Sequence, residues 1–247
     1  MDEGETWNTK LKVCFWNVCG WLGGGGEQME RRVQEHEMRA EVIDYYKPDV
    51  LALAETWLKR DEVINVQGYK CFVHNRKQLN KKAKRGSGGV GVLIRDDFLY
   101  RFTVEVIDSD VEVAMWVKMC STQGEEARLL IAVCYIPPEA SSSGNNAKEK
   151  MQLLSEQVEK YTPLGPLIFY GDSNARCGYV HAGGEVTTRC TVDPGKNRQE
   201  EALNDLVRST GLCIVNGTKG KDAFTCVSSR GSSVVDYCIV PCGNQSI

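Results

Sequence analysis

The chain has 247 residues, 42% of them hydrophobic and 26% charged, with a formal net charge of −3. That is enough apolar material for a sizeable core in one domain or two. The acidic balance argues against a broad basic nucleic-acid surface and leaves room for a local one. There is no charged-then-apolar N-terminal signal and no apolar run near the ~18 residues of a membrane helix. The expectation is therefore an intracellular protein of the nucleus or cytoplasm, with no membrane partner.

Residues 1–10 are polar and expected to be loose. Residues 11–18 (L-K-V-C-F-W-N-V) read as the first core strand, with Asn17 near its end. The glycine run at 23–26 lacks the following Gly-Lys-Ser/Thr of a phosphate-binding loop and reads as a connector. Residues 28–46 carry Met29, Val33, Met38, Val42, Ile43 and Tyr46 near helical spacing, and Pro48 stops the helix. Residues 49–54 form a second buried strand, followed by Glu55-Thr56-Trp57. A strand–helix–strand unit of this length predicts a parallel pair, with Asn17 and Glu55 at one edge.

Residues 69–73 read as a strand. Residues 75–85 hold six Lys and Arg, and read equally as a solvated loop or as a contact for a phosphate backbone. G-S-G-G at 86–89 leads into a strand at 90–94, and 102–106 and 111–119 alternate as half-buried antiparallel strands do. The apolar run 129–135 ends in Tyr135 and is stopped by Pro137-Pro138. A Ser/Gly/Asn loop at 140–146 precedes a helix at 148–161, with Met151, Leu154, Val158 and Tyr161 on one face.

Residues 166–176, P-L-I-F-Y-G-D-S-N-A-R, carry the strongest hint of chemistry. Leu167 to Tyr170 suit a strand buried on both faces, which Gly171 should end. Asp172 and Asn174 are two apart and would point the same way. That sets a carboxylate and an amide side by side at a strand's C-terminal edge, where open α/β sheets put their ligands. Turns rich in Gly, Asp and Asn are also common where nothing binds. Residues 177–196 are Gly-rich and irregular, and 199–210 form a helix with Leu203, Leu206 and Val207 on one face. A short strand follows at 212–215, and 224–227 should pair with 234–240 across 228–233. Asp236 interrupts the last apolar run, and a buried charge needs a partner. No internal repeat or interdomain linker is present.

Of the eleven cysteines, none forms a C-x-x-C pair. Cys14, Cys134 and Cys238 lie in strand-like runs and read as small buried hydrophobes of a reducing compartment. His36, His74 and His181 are too scattered for a zinc site.

In chain order, F-W-N-V-C-G (15–20), L-A-L-A-E-T-W-L (51–58), G-G-V-G-V-L-I-R (88–95), Y-I-P-P (135–138), Y-G-D-S-N-A-R (170–176) and S-S-V-V-D-Y (232–237) resemble the exonuclease–endonuclease–phosphatase superfamily. That family includes DNase-I-like nucleases, abasic-site endonucleases and inositol polyphosphate phosphatases. The wording is most similar to the endonuclease domain of non-LTR (LINE-type) retrotransposons. The resemblance implies an α/β (α+β) fold over residues 11–247: a DNase I-like four-layer sandwich of two mixed β-sheets flanked by helices. It implies Mg²⁺ as cofactor, with Mn²⁺ as a substitute, and nicking of target-site DNA to prime reverse transcription. The partners implied are DNA and a reverse transcriptase domain in the same full-length polyprotein. By the same match Glu55 holds the metal, helped by Asn17, and Asp172 orients and deprotonates the attacking water. Asn174 and Tyr135 hydrogen-bond the scissile phosphate. Thr225, near a DNA-contacting hairpin, and Arg176 serve substrate binding, and Asp236 orients a catalytic histidine.

The family closes on a Ser-Asp-His signature that this sequence does not contain, and none of its three histidines fits that position. Cys19 also stands where the family frequently has Asn or Asp. The expectation is a domain without its last strand, with a sheet edge left open and weak or no activity as this chain. Two alternatives remain: a non-catalytic nucleic-acid- or protein-binding relative, and a phosphatase or phosphodiesterase acting on inositol phosphates or lipids.

Overall fold

The computed structural model describes residues 10–22, 29–76, 86–108, 114–122, 128–139, 141, 146–178, 180–182, 185–187, 189–218, 222–229 and 231–243. Of 29, 180–182 and 185–187 the backbone alone is described. Most of the N-terminal segment, the four-glycine run, residues 77–85 and residues 111–113 lie outside the described residues.

β1 (Val13–Asn17) and β2 (Val50–Ala54) pair in parallel, joined by α1 (Met29–Tyr46), as the unit's length predicts. β3 (Tyr69–His74) and β4 (Val90–Arg95) complete a mixed sheet of order β1-β2-β4-β3. A short α2 (Asp96–Leu99) leads to β5 (Phe102–Asp108), β6 (Ala114–Ser121) and β7 (Arg128–Tyr135), an antiparallel meander. α3 (Ala147–Tyr161) then crosses to β8 (Leu167–Asp172), parallel to β7. A small hairpin, β9 (Val180–Ala182) and β10 (Glu185–Thr187), occupies the stretch read as irregular. α4 (Gln199–Thr210), β11 (Leu212–Ile214), the hairpin β12 (Cys226–Ser228)–β13 (Gly231–Ser233) and β14 (Asp236–Pro241) follow. The second sheet has the order β11-β14-β8-β7-β6-β5.

Three apolar clusters make this a four-layer sandwich. Val50, Ala52 and Val92 meet Met115, Val117, Ile131 and Val133 between the sheets. Ile43 of α1 packs with Leu51, Leu53 and Leu93 on one outer face. Leu154, Val158, Leu203 and Leu206 of α3 and α4 cover Trp116 and Phe169 on the other. β2 is buried at every position, which explains its unbroken apolar sequence.

Four expectations change. Gly171 does not end its strand; β8 runs on through Asp172. Residues 224–227 do not pair with 234–240. β12 turns back onto β13 at once, while β14 inserts between β8 and β11. In α1 only Ile43 is buried among the described side chains, and Val33, Met38, Val42 and Tyr46 are exposed. At 100° per residue Met38, Val42 and Tyr46 share a stripe that Ile43 does not, so the face that meets the sheet is narrow. Finally, Cys213 and Cys242 form a disulfide with Cα atoms 5.3 Å apart, which the reducing-compartment reading did not foresee. Cys213 lies in β11 and Cys242 one residue past the end of β14, its antiparallel neighbour, which brings the two thiols together. Among the described residues no helix is long and apolar enough to cross a membrane.

Candidate active site

Parallel strands deliver their C-terminal ends to one edge, and here two sheets do so together. Asn17 ends β1 opposite Ala54, so Glu55 follows one residue beyond β2. In the second sheet Tyr135 is in register with Asp172, and Asp172 with Asp236. Asn17 ties the sheets together: its Nδ2 donates to Glu55 Oε1 at 2.9 Å and to Asp172 Oδ2 at 2.8 Å. Its Oδ1 accepts the Cys19 N–H at 3.0 Å. Thr225 closes the far side, its Oγ1 accepting the Val235 and Asp236 N–H groups, each at 3.1 Å.

Glu55 is held from two directions. Its Oε2 accepts the Trp57 indole N–H at 3.0 Å, and its backbone is left-handed, with φ 52°. The next two N–H groups, of Thr56 and Trp57, donate to Gly89 and Gly88 carbonyls at 3.2 and 2.9 Å. A Cβ at Gly89 would lie 2.5 Å from Thr56 Oγ1, so the G-S-G-G stretch is a glycine strap holding the Glu55 turn. The sequence reading took this stretch as a lead-in to β4. Its signal was there in the paired glycines before an apolar strand.

Asn174 does not sit beside Asp172 at strand spacing. It is left-handed at φ 50°, its N–H donates to Asp172 Oδ1 at 2.9 Å, and its Nδ2 donates to the Ile136 carbonyl at 2.9 Å. Arg176 is bound to Asp193, with Nε to Oδ2 at 3.0 Å and Nη2 to Oδ1 at 2.5 Å. Burial would raise the Asp193 carboxyl, but Arg176 and the Val234 and Gly195 N–H groups outweigh it and hold it at about 2.

The three site carboxylates crowd one another. Asp172 is 2% exposed. Burial, then the charge of Asp236, push its carboxyl well above the ordinary range, against the Asn174 N–H and the Asn17 amide. Burial pushes Asp236 up to about 6, against a Thr225 hydrogen bond, with Glu55 adding to the rise. Asp236 Oδ1 is buried with no hydrogen-bond partner. Burial, with Glu55 and Asp172 behind it, raises the Tyr135 phenol, so it stays a neutral donor at pH 7.

Among the described residues no lysine, arginine or histidine pairs with Glu55, Asp172 or Asp236. Among the described residues the cluster's negative charge, on hard oxygen atoms, therefore has no ion-pair partner. No three His, Cys, Asp or Glu among the described residues converge into a closed metal cage. Mg²⁺ needs no such cage, because it binds through one or two carboxylates and keeps waters or substrate oxygens. The donor set fits Mg²⁺.

The sequence profile of the endonuclease/exonuclease/phosphatase family matches residues 16–241, which include every residue of the candidate site. The chain belongs to this family. Several solved structures share its fold. The AP endonuclease LMAP from Leishmania major is 15% identical, with a TM-score of 0.66 over 94% of this chain and 79% of that one. The human Nocturnin catalytic domain, with bound sulfate, is 16% identical, with a TM-score of 0.61 over 93% and 82%. The mannosyl-6-phosphatase Bt3783 of Bacteroides thetaiotaomicron is 14% identical, with a TM-score of 0.56 over 95% and 86%. No curated relative matches the chain by sequence. The hydrolase fold of the family is thus common to nuclease and phosphatase neighbours.

Proposed function

We propose that the chain is a Mg²⁺-dependent phosphodiester hydrolase that nicks DNA, similar to the endonuclease domain of LINE-type retrotransposons. The observation that carries this is the single Asn17 amide within 2.9 Å of both Glu55 and Asp172, across two sheets. Glu55 holds the cation, and Asn17 orients both carboxylates and keeps one carbonyl lone pair for it. Bound there, the ion supplies Lewis-acid charge against the phosphate oxygens. Asp172 orients a water and takes its proton, a task that suits a buried carboxyl with a raised pKa. Tyr135 and the second N–H of the Asn174 amide donate to the charge that grows on the phosphate. Asp236 Oδ1 is the acceptor to which an imidazole N–H would donate. The retrotransposon part of the proposal, with its reverse transcriptase partner, is supported by the E-T-W-L, Y-I-P-P and G-D-S-N-A-R wording. Reverse transcriptase motifs in the transcript that encodes the chain would test it.

The activity is tested on supercoiled plasmid with Mg²⁺, with and without added imidazole. Nicking is expected to be slow alone and faster with imidazole. It should be lost by about three orders of magnitude in Asp172→Asn, and abolished by chelator. Mg²⁺ should also raise the melting temperature of the parent and leave Glu55→Gln unmoved. Nicking equal to that of Asp172→Asn under every condition would remove the nuclease reading. Phosphate release from inositol phosphates in its place would favour the phosphatase alternative.

A further inference from the structure

Arg76 lies one residue past β3, at the start of the basic stretch 75–85. Its Nη1 donates to Ser87 Oγ at 3.2 Å, and Ser87 is the exposed residue of the glycine strap. The next residue, Gly88, is so near Tyr135 that a Cβ there would lie 3.3 Å from the ring. The strap thus carries the guanidinium to the rim of the acidic site. Its charge acts on Tyr135 in the sense opposite to Glu55 and Asp172.

Arg76 also borders a cleft of about 610 Å³, lined further by Arg60, His74 and Asn75 and by two carboxylates, Asp61 and Glu62. The cleft wall is fixed, because Asn75 Nδ2 donates to the Arg60 and Glu62 carbonyls at 2.7 and 2.8 Å. A guanidinium fork and a serine hydroxyl together match the oxygens of a phosphate. The scissile phosphate belongs at Tyr135, Asn174 and Glu55, so a cation on the strap faces a different anion. A simple monoester offers no second anion there and an inositol polyphosphate offers a few on one small ring, whereas a polynucleotide offers one at each nucleotide along the cleft.

We propose that Arg76, held by Ser87, binds a phosphate of the substrate beside the scissile one. The substrate is then a chain of phosphodiesters, a DNA strand that runs from Tyr135 along the cleft between Arg60 and Arg76. This deepens the phosphodiesterase reading and rests on it.

Fluorescence anisotropy with a labelled DNA duplex of about 20 base pairs, in Ca²⁺ to prevent turnover, tests the proposal. Arg76→Ala is expected to weaken binding about tenfold near 0.1 M salt. It should also lower the slope of log Kd against log salt by about 0.9, the share of one phosphate contact. Arg76→Lys should keep the slope, and Ser87→Ala should weaken binding two- to threefold or so. Arg208→Ala removes the same charge from exposed α4 and should change neither quantity. Arg76→Ala indistinguishable from Arg208→Ala, or a parent chain that does not bind the duplex, overturns the proposal. Mg²⁺-dependent hydrolysis of bis(p-nitrophenyl) phosphate, a diester with one phosphate, reports separately on the reading beneath it. Hydrolysis there with no Arg76 effect on DNA binding sinks this inference alone, and no hydrolysis there even with added imidazole sinks the reading itself.

Discussion

Asp236→Asn should make the metal-free protein more stable and less active. Asp236 is 9% exposed, its Oδ1 has no partner, and burial carries its carboxyl from the ordinary 3.8 to about 6. A carboxyl raised in the folded state holds its proton more tightly than in the unfolded chain. Stability therefore falls as pH rises between about 4 and 6, and the penalty is complete above that window. Two pKa units at about 1.4 kcal/mol each make it about 3 kcal/mol at pH 8. Asparagine keeps the shape and an acceptor for Thr225, removes the charge, and relieves Asp172, whose carboxyl Asp236 also raises. Urea or thermal unfolding without metal should show a gain of about 3 kcal/mol at pH 8, or roughly 6–12 °C for a chain of this size. Below about pH 3 the gain should vanish, because the carboxyl is then protonated in the folded and the unfolded chain alike. Nicking should fall at least a hundredfold. A variant less stable than the parent at pH 8 would mean that Asp236 Oδ1 has a donor in the native protein, and the reasoning would fail.

Arg189 and Asp222 form an ion pair at 2.8 Å with side chains 0% and 1% exposed, and Arg189 also donates to the Asn216 and Cys177 carbonyls. Arg189→Met leaves Asp222 buried without its cation and should cost about 3–5 kcal/mol by urea unfolding. The double variant with Asp222→Leu should recover part of that loss. A Cβ at Gly171 would lie 2.1 Å from Cys134 Sγ, its neighbour in the parallel register. Gly171→Ala should cost about 1–3 kcal/mol, and adding Cys134→Ala should restore some of it. Equal stability of the two Gly171 variants would refute the clash.

Much of the fold was legible because its core strands are unbroken apolar runs bounded by Gly, Pro or charge. β2 is one such run, and the reading of 199–210 has the same bounds as α4, where Leu203, Leu206 and Val207 repeat and Gly211 caps the end at φ 66°. The parallel β1–β2 pair followed from the length of chain between them. Illegible parts depended on partners remote in sequence. Nothing local shows that β14 pairs with β8, more than sixty residues earlier, rather than with the adjacent 224–227. The outward turn of most of α1 depends on how little of it the first sheet can cover. At the site, Asn17, Glu55, Tyr135, Asp172 and Asp236 could be named from strand ends and motif order. The left-handed turn that sends Asn174 to the Ile136 carbonyl could not, nor could the hold of Asp193 on Arg176. Both depend on where other loops finish in space.

Asn17 and Glu55 come from one layer of the sandwich and Tyr135, Asp172 and Asp236 from the other. A sub-ångström slide of one layer over the other would change the spacing of Glu55 from Asp172 before it broke any backbone pairing. The side chains between the layers, Met115 and Ile131 among them, thus act as shims that set the spacing of the proposed site. Repacking them should cost turnover sooner than it costs folding.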